Sequence, residues 1–116
     1  MNIEEIREYC LSKKGVSECF PFDEETLVFK VAGKMFALSG LEKPCNIVLK
    51  CDPDKAIELR EHYSSINGAF HMNKTMWNQI DVDGSVPDTL IYELIDHSWA
   101  LVVAKLPKKS RSLLEE

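Results

Sequence analysis

Long hydrophobic runs are absent from this sequence of 116 residues. No segment approaches the roughly 20 consecutive apolar residues that a membrane-spanning helix requires. The first residues, Met-Asn-Ile-Glu-Glu, are acidic and lack the basic start and apolar stretch of a secretory signal peptide. We therefore expect a cytoplasmic protein with no membrane partner.

Paired cysteine motifs are missing as well. The four cysteines are Cys10, Cys19, Cys45 and Cys51, and none of them forms C-x-x-C. No cysteine and histidine have the close spacing of a structural zinc site. Because unpaired cysteine packs as a small hydrophobic side chain, we expect four free thiols, as is usual in a reducing cytosol.

Catalytic motifs are also lacking, and no glycine-rich phosphate loop occurs. The run Asp96-His97-Ser98 has the residue types of a catalytic triad. However, consecutive residues of a helix point about 100° apart, so these three cannot align as nucleophile, base and orienting group. We predict no catalytic residue and a non-enzymatic protein.

Metal-binding patterns are weak. Asp81, Asp83 and Asp88 surround a turn, but the glutamate that closes an EF-hand calcium loop is absent. Glu4 and Glu8 lie on one face of the predicted helix and are candidate metal ligands. Acidic residues at this position are also explained by the positive N-terminal end of the helix. We predict no metal and no cofactor.

Positive charge is scarce overall but concentrated near the end of the chain. The formal net charge is −5, which argues against indiscriminate binding to nucleic acid. Four basic residues nevertheless fall within positions 105–111, where no acidic residue occurs: Lys105, Lys108, Lys109 and Arg111. They are candidate phosphate contacts, and the alternative is ordinary solubilising charge.

The first half of the sequence predicts a helix followed by four strands. Residues 2–14 have apolar side chains at helical spacing, with Asn2 as the N-cap. Residues 17–51 then alternate between apolar and polar, and Ala32-Gly33 supplies a hairpin turn. Because the connections are short, the strands should form an antiparallel meander.

The second half predicts a helix, a strand and a longer helix. Asp52-Pro53 has the N-cap and first-turn proline of a helix start. Residues 77–82 alternate as a fifth strand. The run Ser85-Val-Pro-Asp88 has the S-x-x-D spacing of a capping box, and the helical period continues to about Lys105. A strand over residues 99–104 is the competing interpretation.

These elements define an α+β fold with an antiparallel sheet of about five strands and helices packed on it. The predicted order is α-β-β-β-β-α-β-α. Residues 1–107 should form a single domain, and residues 108–116 a polar tail that is first basic and then acidic.

A polar and aromatic group precedes the predicted fifth strand: His71, Asn73, Lys74 and Trp77. One interpretation is a ligand or nucleic-acid site, in which Lys74 contacts a phosphate and Trp77 stacks on a base. The other is structural, with Trp77 packed in the core and its N–H bonded nearby.

Several motifs together resemble the MmcQ/YjbR family, over nearly the whole chain. In the first half they are Glu18-Cys-Phe-Pro-Phe22 and Phe29-Lys-Val-x-Gly-Lys-Met-Phe36. In the second half they are Lys74-x-x-Trp77, Asp81-x-Asp-Gly-Ser-Val-Pro-Asp88 and Leu94-Ile-Asp-x-Ser-Trp-x-Leu-Val-x-Ala-Lys-Leu-Pro-Lys-Lys109. The resemblance implies a frataxin-like α+β fold, also described as a double-wing DNA-binding domain, and implies no catalytic residues.

Two classes of function remain open. The first is a non-enzymatic module that binds DNA, which follows from the resemblance and from the basic residues at positions 105–111. The second is a protein-interaction module, because a sheet with a free face or edge can accept a partner segment. A pocket for a small anionic ligand near Lys74 and Trp77 is a further alternative.

Overall fold

The computed structural model describes residues 1–41, 45–69 and 72–114. Within these ranges the helices are α1 Ile3–Ser12, α2 Pro53–His62, α3 Asp88–Ala104 and α4 Lys108–Leu114. The strands are β1 Val16–Cys19, β2 Thr26–Val31, β3 Lys34–Gly40, β4 Asn46–Lys50, β5 Ile66–Gly68 and β6 Trp77–Asp81. None of the described helices is long and apolar enough to cross a lipid bilayer.

The strands form one sheet in the order β1-β2-β3-β4-β6-β5, and each neighbouring pair is antiparallel. This confirms the predicted α+β class and the four-strand meander. The strand count differs, because β5 forms the edge of the sheet beside β6. Three residues are too few to show an alternating pattern, so this strand could not be predicted from periodicity.

Three local predictions are confirmed. The Asn2 Oδ1 atom caps α1 by accepting the Glu5 amide at 2.9 Å. The Asp52 carboxylate caps α2 by accepting the Lys55 amide at 3.2 Å. At the β2–β3 turn, Ala32 has φ 50° and Gly33 has φ 81°, the two positive values of a type I′ hairpin turn.

Helix α3 is continuous through residues 99–104, so the alternative strand there is wrong. The predicted capping box is also wrong: Pro87 is the N-cap and no side chain caps the helix. The Ser85 hydroxyl instead bonds to the Asp83 carboxylate at 2.6 Å and lies 2.5 Å from the Ser65 hydroxyl. Because the Ser85 hydroxyl is bonded within the turn before the helix, it does not form the capping box.

The main core lies between α1, α2, α3 and one face of the sheet, which we call the covered face. Phe29, Ile47 and Ile80 contribute to it from β2, β4 and β6. A register shift between Phe29 and Lys30 places both Phe36 and Ala37 of β3 in this core. The hydroxyl of buried Ser98 fastens α3 to the sheet by donating to the Phe36 carbonyl at 2.5 Å.

The structure folds residues 108–114, predicted to be part of a tail, as α4. The helix follows Pro107, and the Leu114 side chain packs against the main core near Gly15. The remaining two residues of the predicted tail lie outside the described part of the chain. The basic residues of this segment are consequently held on a folded helix.

Candidate functional site

The second face of the sheet, which we call the open face, carries a smaller apolar cluster. Its buried members are Val28, Leu38, Ala69 and Trp77, with partly buried Cys19, Met35, Val48, Met72 and Met76 around them. All of these residues belong to strands or loops, whereas the helices contribute to the covered face. Because the four buried members are at most 9% exposed, a ligand or partner would have to reach this face through a cleft.

A cleft of about 530 Å³ lies on the open face. Its lining comes from the loop before β2, from the four strands β2, β3, β4 and β6, and from the loop after β5: Phe22, Asp23, Thr26, Leu38, Ser39, Gly40, Asn46, Val48, Ala69, Met72 and Gln79. The sequence did not predict this cleft, because its lining residues come from separate segments. The sequence feature that indicates apolar surface in this region is the closely spaced pair Phe20 and Phe22 in a polar loop.

The rim of the cleft carries an exposed aromatic ring and a fixed carboxylate. Phe22 is 63% exposed although it borders apolar surface. The Asp23 Oδ1 atom accepts the Glu25 amide at 2.9 Å and the Thr26 amide at 2.7 Å. These two backbone bonds are the main cause that lowers the pKa of Asp23 from its usual 3.8, so the rim is negatively charged at neutral pH.

Basic residues gather at one end of the sheet, beyond the hairpin turn at Ala32-Gly33. The strand register places Val31 opposite Lys34 and Lys50 opposite Trp77, so β2, β3, β4 and β6 all reach this end. We call the following set the basic end: Lys30, Lys34, Lys50, Lys105, Lys108, Lys109 and Arg111.

The C-terminal helices reach the same end of the sheet. Ser98 on α3 accepts the Lys50 amide at 3.0 Å, which holds the helix over the end of β4. Burial and then the neighbouring charge of Lys105 lower the pKa of Lys50, which indicates that these two ammonium groups are close. Leu114 on α4 packs beside Gly15 and Val31 at the hairpin end. The elements that carry the two basic segments thus reach the same end of the sheet.

The polar and aromatic group before β6 is not a single site in the structure. His71 lies outside the described residues. Asn73 closes a turn by accepting the Thr75 amide at 2.9 Å. The Lys74 side chain is exposed, and its carbonyl accepts the Arg60 guanidinium at 3.0 Å. Trp77 is 9% exposed and packs in the open-face cluster, which agrees with the packing that the structural interpretation predicted.

The run Asp96-His97-Ser98 is divided among three structural roles. Asp96 accepts the Tyr9 hydroxyl at 2.7 Å and pairs with the Lys13 ammonium. The His97 Nε2 atom accepts the Asp52 amide at 3.2 Å, and the Ser98 hydroxyl bonds to β3 and β4. Each side chain contacts a different neighbour, which agrees with the helical argument against a triad.

No group of three or more His, Cys, Asp or Glu side chains within residues 1–41, 45–69 and 72–114 could hold a metal ion. Asp83, one of the candidate metal ligands, bonds to Ser85 and Ser65. The four cysteines are free. Burial raises the pKa of the Cys10 thiol to about 12, so this side chain is a core residue without thiolate character.

Comparison with known proteins relates the chain to one family. The YjbR family model matches residues 11–101. The uncharacterized protein YjbR of Escherichia coli strain K12 is 35% identical over 115 residues, covering 98% of both chains. The uncharacterized protein YbdF of Escherichia coli O157:H7 is 37% identical over 109 residues, covering 93% of this chain and 89% of that protein.

Solved structures have the same architecture. A crystal structure of a Deinococcus radiodurans protein with a DUF419 domain is 39% identical, with a TM-score of 0.91. The alignment covers 98% of this chain and 88% of that one. A crystal structure of a Pseudomonas syringae protein is 26% identical with a TM-score of 0.76, covering 87% of this chain and 98% of that one.

Proposed function

This chain belongs to the YjbR family, and from that starting point we propose that it is a non-enzymatic module that binds the phosphate backbone of DNA through its basic end. The observation that carries this proposal is the convergence of two basic segments that lie far apart in the sequence. Lys34 and Lys50 come from the sheet, and Lys105 comes from the end of α3.

The arrangement of charge supports backbone contact at this end. The exposed side chains of Lys34, Lys108 and Lys109 present ammonium groups to solvent, where they can neutralise phosphates and release counterions. Asp23 and Asp88 lie toward the opposite end, whereas Asp52 and Asp54 begin α2 directly after Lys50. With a net charge of −5, this separation favours one orientation of the protein toward a polyanion.

Helix α4 gives the basic end a defined shape. Lys108, Lys109 and Arg111 lie within a helix whose Leu114 is anchored on the core. A folded helix loses less conformational freedom when it binds than a disordered tail does. This supports a phosphate-contacting role for α4.

The four free cysteines support a cytoplasmic location, where DNA and a reducing environment occur together.

Fluorescence anisotropy with a short labelled DNA duplex tests the proposal. We expect binding that weakens steeply between about 50 and 200 mM salt. The triple variant Lys108→Ala, Lys109→Ala, Arg111→Ala should bind more weakly, and its salt slope should fall by about 0.9 for each phosphate that it no longer neutralises. Absence of binding at about 100 μM protein in low salt would rule out the proposal, because even nonspecific binders reach that range.

A control variant separates local contact from total charge. Glu4→Gln, Glu8→Gln and Glu24→Gln raise the net charge by three at exposed positions away from the basic end. Its salt slope should match that of the unchanged protein, because the number of neutralised phosphates is the same. If this control alters the slope as strongly as the triple variant on α4, binding depends on overall charge and the basic end is not the site.

A further inference from the structure

The cleft on the open face has the size and lining of a small-molecule site, and the proposed DNA contact does not use it. Its volume of about 530 Å³ falls within the range of roughly 300–1,000 Å³ that is typical of ligand pockets. Leu38 and Val48 give it an apolar floor, and Asn46 and Gln79 add amide groups. A ligand with an apolar body and a few polar atoms would match this lining.

The rim provides contacts for a flat or extended apolar body. The Phe22 ring is 63% exposed, so a ligand that stacks on it removes apolar surface from water without rearranging the core. Met72 lines the same cleft from the loop after β5. Its flexible thioether side chain can adapt to a ligand's shape and contact an aromatic ring.

The charges of the cleft select the sign of the ligand. The ionised Asp23 carboxylate is on the rim. Asp81 pairs with the lining residue Asn46 across β4 and β6, and the Gln79 amide reaches it at 3.4 Å. The described lining includes no lysine or arginine. The charges of the described residues at the cleft are therefore carboxylates, which favour a cation over an anion.

We propose that this cleft binds a small organic cation with an aromatic or alkyl body. The body packs on Leu38 and Val48 against the Phe22 ring. The ammonium group bonds to the Asp23 carboxylate, which retains acceptor capacity because a carboxylate has about four lone-pair sites. The site is separate from the basic end, so it can be occupied whether or not DNA is bound.

Isothermal titration calorimetry with paired probes tests this proposal. The first probe pair is tryptamine and indole-3-propionate, which share an aromatic body and differ in the sign of the charge. The second pair is hexylamine and hexanoate. We expect at least one amine to bind in a one-to-one complex and its matched carboxylate to bind at least about tenfold more weakly, the effect of one charge-assisted hydrogen bond.

Two variants locate the binding. Asp23→Asn keeps an oxygen that can accept the Glu25 and Thr26 amides but removes the charge, and should weaken amine binding at least about tenfold. Phe22→Ala removes the exposed ring and should weaken binding by a similar factor. Ile57→Ala is the matched control, because Ile57 is 48% exposed on α2, and should leave the affinity unchanged.

Four results would overturn the proposal. The first is that neither amine binds at a concentration of about 10 mM. The second is that amines and carboxylates bind equally well. The third is that Asp23→Asn and Phe22→Ala leave the amine affinity unchanged. The fourth is sedimentation that shows self-association abolished by Phe22→Ala, because the cleft would then be occupied by a second copy of this chain.

Discussion

The hydroxyl of Ser98 on α3 donates a hydrogen bond to the carbonyl of Phe36 on β3 over 2.5 Å. The same oxygen accepts the Lys50 amide of β4 at 3.0 Å. One buried side chain thus links the long helix to the two central strands. Replacing it would leave two buried backbone groups without this partner, a situation that proteins rarely tolerate.

We predict that Ser98→Ala lowers the free energy of unfolding by about 1–3 kcal/mol, the cost of leaving buried polar groups unpaired. Urea denaturation followed by circular dichroism measures this change. Ser112→Ala is the matched control, because its hydroxyl bonds to the Lys108 carbonyl on the exposed α4, and should change stability by less than about 0.5 kcal/mol. Equal effects of the two substitutions would contradict the assigned role of Ser98.

The burial of Trp77 predicts a packing role. Trp77→Ala should lower the free energy of unfolding by about 3–5 kcal/mol, as removal of a buried aromatic side chain does. Phe22→Ala, on the same face but 63% exposed, should cost less than about 0.5 kcal/mol. If Trp77→Ala left stability intact and weakened DNA binding instead, the base-stacking interpretation would replace the packing one.

His97 predicts a pH dependence of stability. Its Nε2 atom accepts the Asp52 amide in the neutral form, and burial, followed by the charge of Lys55, lowers its pKa from the usual 6.5. His97 therefore binds a proton more readily in the unfolded chain than in the folded protein. Its contribution to the free energy of unfolding is complete above pH 6.5 and is lost as the pH falls below that value.

Urea titrations at pH 7.5 and pH 5 of the unchanged protein and of His97→Gln test this dependence. The difference in unfolding free energy between the two pH values should be smaller in His97→Gln, because glutamine can accept the amide but does not titrate. His62→Gln, on the exposed surface of α2, is the control and should keep the original difference. A His97→Gln protein with an unchanged pH dependence would show that His97 is not the responsible group.

The hairpin turn predicts a position-specific effect of glycine. Gly33 has φ 81°, a conformation that costs an alanine about 1–2 kcal/mol. Gly33→Ala should therefore destabilise the protein by about that amount. Gly40→Ala is the control, since Gly40 does not have a positive φ and an added Cβ would meet no atom within 4 Å. Thermal denaturation distinguishes them, and equal midpoints would contradict the type I′ turn.

The sequence predicted those features of the fold that depend on local patterns. Asn2 and Asp52 cap their helices because the cap bonds join residues three positions apart. The Ser85 prediction failed because the hydroxyl bonds to the Asp83 carboxylate two residues earlier and lies beside the nonlocal Ser65 hydroxyl. Helix α4 was missed for a similar reason: its seven residues are too few for a helical period, and Leu114 packs against distant residues.

A candidate site could be predicted where its residues are neighbours in the sequence. The cluster of basic residues at positions 105–111 is visible in the sequence, but its position near Lys50 depends on the path of α3 over the sheet. The cleft could not be predicted, because Phe22, Leu38 and Gln79 meet only when the strands pair in their observed order. The sequence left open whether Trp77, which follows Lys74, contacts a ligand or packs in the protein, and the structure shows that it is buried.

The most direct test of DNA binding through the basic end is a two-dimensional NMR titration of ¹⁵N-labelled protein with a short DNA duplex in low salt. We predict that the largest amide shifts occur at the basic end, around Lys34, Lys50 and Lys109, and decrease as salt is added. Residues of the acidic rim near Asp23 should shift little. Shifts centred on that rim, or no shifts at all, would contradict the claim that the basic end binds DNA.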